Sequence, residues 1–342
     1  MKDLIKRSSF LNPLPLSYIV IVVMLLLVGW LHLATPLLTV LFAYFALTKL
    51  HVFRNKWITI VIFSLLVSSL LYGFGYFVKQ ALKGLPEIAH QTVLHTTAYA
   101  EKHNLELPFT DVEGLKALAM DKFKGQYKML GSFAKTAAME IALLLIGCVV
   151  AASVFKNPQL DLERGSHRVR NNLYSLTCDQ VVRRFRGFYQ SFATVMGAQI
   201  TISAINTVLT SIFVFAVGLP YAVVIVGVTF LCGLLPIIGN ILSNTVIVAI
   251  AFTVSPQLAV ASLVFLVVLH KMEYFLNSKI IGERIKNPVW LTLLGLVLGE
   301  RLMGIPGMIL APVVLHYIKV ESSRIEVQYT APIDDENELP VP

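Results

Sequence analysis

The sequence predicts an all-helical membrane protein with about eight transmembrane segments and a small helical cap outside the bilayer. Of its 342 residues, 56% are hydrophobic and 14% are charged, whereas an ordinary soluble domain is about 25% charged. The mean hydropathy is +0.73. The charges are also segregated, because none lies in the 84 residues from 187 to 270. At about 20 residues per crossing, that stretch alone holds roughly four membrane passes.

The positive charges predict the orientation of the chain. Lys2, Lys6 and Arg7 precede the first apolar segment, and seven Lys or Arg lie within 156–186. Short segments rich in Lys and Arg stay on the cytoplasmic side of a membrane. The stretch 79–135 carries eight Lys and no Arg, and it is long enough to be exported despite its charge. We therefore expect both termini to be cytoplasmic.

The N-terminal region, residues 1–78, is predicted to form a helical hairpin followed by a third span. The apolar segments 18–33 and 36–48 are separated by a turn, and 57–78 is long enough to cross the membrane. The first segment has a basic flank like that of a signal peptide, but no Ala-x-Ala cleavage site follows it. We expect the segment to remain as an anchor.

Residues 79–136 are predicted to form an external amphipathic helical cap. Polar and apolar residues alternate there at helical spacing. Residues 110–113 form a capping box, the pattern that begins many helices. His90, His95 and His103 lack the regular spacing of metal ligands, so a solvated cap is favoured over a metal site.

Residues 137–320 are predicted to form the transmembrane core. A basic segment within it, 156–190, is expected to lie along the cytoplasmic membrane surface. Two apolar segments of the core are interrupted by Gly and Pro, at 234–240 and at 303–312. The acidic tail, 321–342, has few large apolar residues and is expected to be disordered.

The two interruptions are the strongest functional signal in the sequence. Broken helices expose backbone groups that lipid cannot satisfy, so they are tolerated only where protein or a water-filled cavity meets them. A pair of Gly/Pro-interrupted apolar segments is typical of a transport site. The alternative is a pair of packing kinks in a membrane scaffold.

Polar residues near the first interruption are candidates for a transport path. Four of them recur at steps of four, three and four, which places them on one helical face. They are Gln199, Ser203, Asn206 and Thr210. Asn240 and Asn244 follow the break at Pro236 and Gly239. These side chains could line a pore, or they could form hydrogen bonds between helices.

A second set of candidates surrounds the other interruption. Glu300 and Arg301 are the only formal charges in the last apolar segment, about eleven residues or roughly 17 Å into it. Charges near the bilayer midplane are costly and usually functional. Gly304, Pro306 and Gly307 form the adjacent break. The alternative is a helix end or re-entrant tip where both charged groups contact water.

The sequence contains no enzyme signature, so we expect neither catalysis nor a cofactor. It lacks a His-Glu-x-x-His zinc pair, a Walker phosphate loop and a Gly-x-Ser-x-Gly elbow. This absence also excludes ATP-driven transport by this chain alone. Cys148, Cys178 and Cys232 have neither pairing nor metal-ligand spacing. We expect these three cysteines to pack as small apolar side chains.

Four motifs, in order over 95 residues, resemble the AI-2 exporter family of bacterial inner-membrane permeases, which includes the permease PerM. The motifs are GLPYA at 218–222, LPIIG at 235–239, NSKIIG at 277–282 and GIPGMILAP at 304–312. Many relatives carry a second Pro at the position of Val246, so the helix there is expected to be straighter. The resemblance implies an inner-membrane location and about eight membrane segments.

With this resemblance, the leading hypothesis is a secondary-transporter-like permease that exports a small polar solute, with autoinducer-2 as the first candidate. The first alternative is a sodium/proton-type cation exchanger that uses Glu300. The second alternative is a membrane scaffold or assembly partner without transport activity. The expected partners are membrane lipid and either a small polar solute or a monovalent cation, and no nucleic acid is expected. A homo-oligomer is compatible with the sequence.

Overall fold

The computed structural model describes residues 13–52, 55–102, 127–169, 171–235, 238–281 and 288–326, and every regular element among them is helical. In chain order the helices are α1 (Pro13–Trp30), α2 (Ala34–Leu50), α3 (Lys56–Lys102), α4 (Tyr127–Lys156), α5 (Leu173–Ala216), α6 (Ala222–Gly233), α7 (Ile238–Val254), α8 (Pro256–Ile281) and α9 (Val289–Ser322). The predicted all-helical fold class is confirmed.

The surface of these helices is that of a multi-pass membrane protein. Five helices in the described ranges are long and apolar enough to cross a membrane, or six if the bent pair α1–α2 is one span. Only 11% of the apolar window in α3 is buried, and Leu65 and Leu70 are exposed on it. An apolar surface of this extent is stable in lipid rather than in water. The count of about eight segments stays a prediction.

The N-terminal helices α1 and α2 form a bent pair, and the predicted hairpin with a third span over residues 1–78 stays a prediction. α1 and α2 differ in direction by 119°, and His32 adopts a left-handed conformation with φ of 54° at the turn. α2 packs against α4, where Gly147 allows close approach because a Cβ there would lie 2.8 Å from the Thr39 Cβ. The first two helices are thereby fixed to the rest of the bundle.

The predicted cap is described only in part. α3 continues without interruption from its span to Lys102, and α4 begins at Tyr127. The capping box at 110–113 lies outside the described residues, as does the tail beyond 326. The capping box and the disordered tail both stay predictions.

α5 is the central helix of the bundle, with 44 residues that pack against α1, α6, α8 and α9. Its start is fixed by the preceding loop, because Asp161 accepts a hydrogen bond of 2.6 Å from Ser175 Oγ. Asp161 also pairs with His167 at 3.0 Å. The hydrogen bond from Ser175, followed by that from His167, lowers the pKa of the Asp161 carboxyl.

Candidate functional site

The first interruption is a helical hairpin formed by α6 and α7, which pack against each other. α6 has 12 residues and α7 has 17, about 18 and 25 Å at 1.5 Å per residue, so each is shorter than the roughly 30 Å hydrocarbon core. Gly239 lies directly against the end of α6, because a Cβ there would be 1.7 Å from the Cys232 carbonyl oxygen. Pro236 lies outside the described residues.

The end of α6 is held by the predicted polar stripe of α5. A helix leaves its last four carbonyls without intrahelical partners. Two of these accept hydrogen bonds from the turn, Leu234 N to Leu231 O at 3.2 Å and Leu235 N to Cys232 O at 2.8 Å. Ser203 Oγ donates to the Phe230 carbonyl at 2.8 Å, and Gln199 Nε2 donates to the Gly233 carbonyl at 2.6 Å. Gln199 and Ser203 therefore support the break by bonding between helices.

A carboxylate that the sequence analysis missed joins the remaining polar residues. Glu273 of α8 accepts hydrogen bonds from Asn206 Nδ2 at 2.9 Å and from Asn240 Nδ2 at 2.8 and 2.9 Å. Three separate helices thus meet at one charged group. One signal could have identified it, because Glu273 is the only acidic residue between Asp179 and Glu283.

A small space, which we call the small pocket, lies beside Glu273 among α5, α6, α7 and α8. Its volume is about 10 Å³, roughly the room that one water molecule needs. Three buried oxygens of its lining residues have no hydrogen-bond partner in the described ranges: Asn206 Oδ1, Thr210 Oγ1 and Thr229 Oγ1. Thr210 itself is fully buried.

A larger, open cavity of about 640 Å³ adjoins the small pocket between α5, α7 and α8. Asn240, Asn244 and Glu273 line both spaces. The outer wall is formed by residues such as Leu263 and His270. Within the described part of the chain, the structure gives the Asn244 side chain no hydrogen bond, so its amide is available to a solute. Polar side chains reach this cavity from three helices: Gln199 of α5, Asn240 and Asn244 of α7, and His270, Lys271 and Glu273 of α8.

The second interruption is also a hairpin, within α9. Gly304 departs from helical geometry with φ of 62° and ψ of −147°. A Cβ on Gly299 would lie 2.4 Å from the Gly307 carbonyl oxygen, and Gly295 faces Ala311 and Leu315 in the same way. Residues on either side of Gly304 contact each other in pairs, so the chain reverses direction at this residue. Pro306 and Gly307 lie at the start of the second arm. Residues 290–322 are long enough for a span, but the backbone folds back.

Glu300 and Arg301 lie at the tip of this second hairpin. Their side chains are 53% and 83% exposed, and the nearest charged atoms are 3.8 Å apart. Neither residue lines the small pocket or the open cavity. The predicted role of these charges, including cation exchange through Glu300, stays a prediction.

The tips of the two hairpins pack against the same apolar cluster, which is formed by residues of α2, α5 and α9. Leu235 of the first hairpin and Met303 of the second both contact the apolar cluster that contains Phe192 and Met196. These two α5 residues are fully buried. Both interruptions therefore adjoin one shared apolar cluster.

Sequence comparisons agree with this architecture. A family profile described as AI-2E family transporter matches residues 16–325. A protein of Bacillus subtilis (strain 168), YdbI, which is named provisionally as a transport protein, is 29% identical over 125 residues. That match covers 36% of this chain and 36% of the relative, so the chain aligns with about a third of the relative's length.

Proposed function

The chain belongs to the AI-2E transporter family, and on that premise we propose that it is a permease that exports a small polar solute across the bacterial inner membrane. The family assignment and the provisional transport name of the relative support movement of a solute. Autoinducer-2, a small hydroxylated signal, is the solute we propose first. The cap is proposed to face outward and both termini the cytoplasm.

The observation that carries this proposal is the position of the polar cluster. Glu273, Asn240 and Asn244 form one wall of an open cavity of about 640 Å³, a volume within the usual range for small-molecule sites. Carboxylate and amide groups bind hydroxyl groups as donors and acceptors. The wall lies beside a broken helix, where transporters commonly place their substrate.

We expect Asn244→Val to reduce transport about threefold to tenfold at low solute concentration, because one hydrogen bond to an uncharged solute contributes about 0.5 to 1.5 kcal/mol. The measurement is flux of autoinducer-2 and a panel of small hydroxylated compounds into everted vesicles. Thr245→Val is the matched control, since Thr245 is exposed and bonds within its own helix, to the Ile241 carbonyl. Equal accumulation with and without the protein would instead favour a scaffold.

The proposed orientation predicts which positions a membrane-impermeant maleimide can reach. In a chain whose native cysteines are replaced by serine, Glu101→Cys should react in intact cells whose outer membrane is permeabilised. Arg164→Cys should react only after the inner membrane is also opened. Both positions are exposed, so a difference in labelling reports the side of the membrane and not burial. Reaction at position 164 before the inner membrane is opened would reverse the orientation.

A further inference from the structure

A crevice between α5 and the second arm of α9, which we call the α5–α9 crevice, lies apart from the first hairpin. Its volume is about 180 Å³. No described residue lines both this crevice and the open cavity. The polar residues that line it include Gln190 and Ser191 of α5 and His316, Tyr317, Glu321 and Arg324 of α9. The crevice is therefore a separate polar space between two helices.

Buried side chains that line the crevice have hydrogen-bonding atoms without partners. Ser191 and His316 are only 2% and 6% exposed. Within the described ranges, the structure gives the Ser191 hydroxyl no hydrogen bond, and the buried His316 Nδ1 and Tyr317 hydroxyl also lack a partner there. Buried polar atoms in proteins are almost always hydrogen bonded. A molecule in the crevice would supply such bonds.

The charges at the crevice leave one positive charge without a partner. Glu321 is the acidic residue of its lining, and the carboxylate already binds Arg184 and the Tyr18 hydroxyl. Arg324 lies 3.8 Å from the same carboxylate. One carboxylate cannot balance two guanidinium groups. Glu326, also near the end of the described chain, is exposed and forms no ion pair with Arg324.

The neighbouring charges make the crevice more favourable for an anion. Arg183 and Arg186 are exposed within about one turn of its first α5 residue. Lys319 is exposed on the same arm of α9. Asp179, the acidic residue of α5, is paired with Arg164. Water in the crevice would satisfy hydrogen bonds but would not balance this positive charge, whereas an anion does both.

The crevice lies where the apolar parts of both helices meet their charged ends. On α5, the uncharged stretch 187–270 begins directly after Arg186. On α9, the apolar span ends at Ser322, and Arg324 follows it. Such a boundary lies at the level of the lipid headgroups, outside the hydrocarbon core. Basic pockets between transmembrane helices commonly bind the headgroups of anionic lipids.

We propose that the α5–α9 crevice binds one phosphate group, with Arg324 as its cationic ligand and the Ser191 hydroxyl as a hydrogen-bond donor. A phosphodiester carries a single negative charge, which balances the single unpaired positive charge. The volume of about 180 Å³ is below the roughly 300 to 1,000 Å³ of sites for drug-sized molecules, so the crevice fits a headgroup without its acyl chains. A phosphatidylglycerol headgroup and free inorganic phosphate are the two sources of this group. The site does not depend on the identity of the transported solute.

The test measures the melting temperature of the purified full chain in detergent at constant ionic strength. Dioctanoyl phosphatidylglycerol, dioctanoyl phosphatidylcholine and inorganic phosphate are added in separate titrations. A ligand that binds the folded state raises the melting temperature. We expect phosphatidylglycerol to raise it more than phosphatidylcholine does, because the choline group brings a second positive charge to a site that is already positive.

Two variants locate the response at the crevice. Arg324→Gln and Ser191→Ala should each weaken the apparent affinity for phosphatidylglycerol about tenfold, because each removes a hydrogen bond to a charged group. Without lipid, Ser191→Ala should keep the wild-type melting temperature, since the Ser191 hydroxyl has no hydrogen bond to lose among the described residues. A purely structural role of Ser191 would change the melting temperature equally with and without lipid.

Arg168→Gln is the matched control. Arg168 is exposed in the loop before α5 and does not line the crevice, so this variant loses the same charge but should respond to phosphatidylglycerol like the wild type. A rise with inorganic phosphate alone that is lost in Arg324→Gln would also support the site and would assign it a soluble ligand. Equal responses to the two lipids with no response to phosphate would overturn the inference, and so would wild-type affinity in Arg324→Gln.

Discussion

Gly239→Ala is expected to open the first hairpin and abolish transport. The added Cβ would lie 1.7 Å from the carbonyl oxygen of Cys232 and 2.6 Å from its carbonyl carbon. Both are backbone atoms, so no side-chain rotation relieves the clash. The Cys232 carbonyl also accepts the hydrogen bond from Leu235 N that closes the end of α6. We expect Gly239→Ala to lower the free energy of unfolding by about 3 kcal/mol or more, which is at the upper end of the effects of overpacking.

Gly73→Ala is the matched control for this experiment. Gly73 lies within the span of α3, and a Cβ there meets nothing within 4 Å. Because Ala favours helix over Gly by about 1 kcal/mol, this variant should keep native insertion, melting temperature and flux. Flux in everted vesicles and melting temperature in detergent are measured for both variants. A Gly239→Ala protein that matches the wild type in both would show that the tip is not closely packed.

The positions of the interruptions were accessible to sequence analysis because Gly and Pro act on the backbone directly. The segment 303–312 was marked as a break, and Gly304 is the residue with non-helical geometry. The sequence leaves the reversal of the chain there as one of two alternatives, a span or a re-entrant tip. A straight kinked span and a hairpin have the same length and hydropathy, and only the contact between Gly299 and Gly307 distinguishes them.

The candidate site was predicted in part for a similar reason. Helical periodicity placed Gln199 and Asn206 on one face, but periodicity does not specify what that face contacts. Gln199 bonds to the end of α6, whereas Asn206 bonds to Glu273. In the sequence, Glu273 stands two residues after Lys271, near the end of the long uncharged stretch. A pair of charges at that place is typical of a loop that follows a span, so the sequence does not single out Glu273 as part of a site. Its role depends on three helices meeting, which is a tertiary property.

The second large effect is expected at the ion pair between Arg184 of α5 and Glu321 of α9. Their side chains are only 12% and 10% exposed. Tyr18 of α1 joins the pair, since its hydroxyl donates to Glu321 at 3.1 Å and the Arg184 guanidinium lies 4.3 Å from the centre of its ring. Three helices, including the second arm of the α9 hairpin, therefore meet at one buried charged site.

Glu321→Ala should lower the free energy of unfolding by about 3 to 5 kcal/mol, because it leaves the Arg184 charge buried without its partner. Arg324 compensates little, since it lies 3.8 Å from Glu321 and its own side chain is 60% exposed. Asp179→Ala is the matched control. It breaks the pair with Arg164, whose two side chains are 47% and 46% exposed, and exposed pairs contribute about 1 kcal/mol or less.

The double change Arg184→Met with Glu321→Leu separates the loss of charge pairing from the loss of packing. Replacing both members of a buried pair by apolar residues of similar size is often neutral for stability. We therefore expect the double variant to recover most of the stability that Glu321→Ala loses, as measured by SDS titration in mixed micelles. If the double variant is as unstable as the single one, the charged pair is needed for more than mutual neutralisation. If Glu321→Ala lowers the free energy of unfolding no more than Asp179→Ala, this pair does not hold the three helices together.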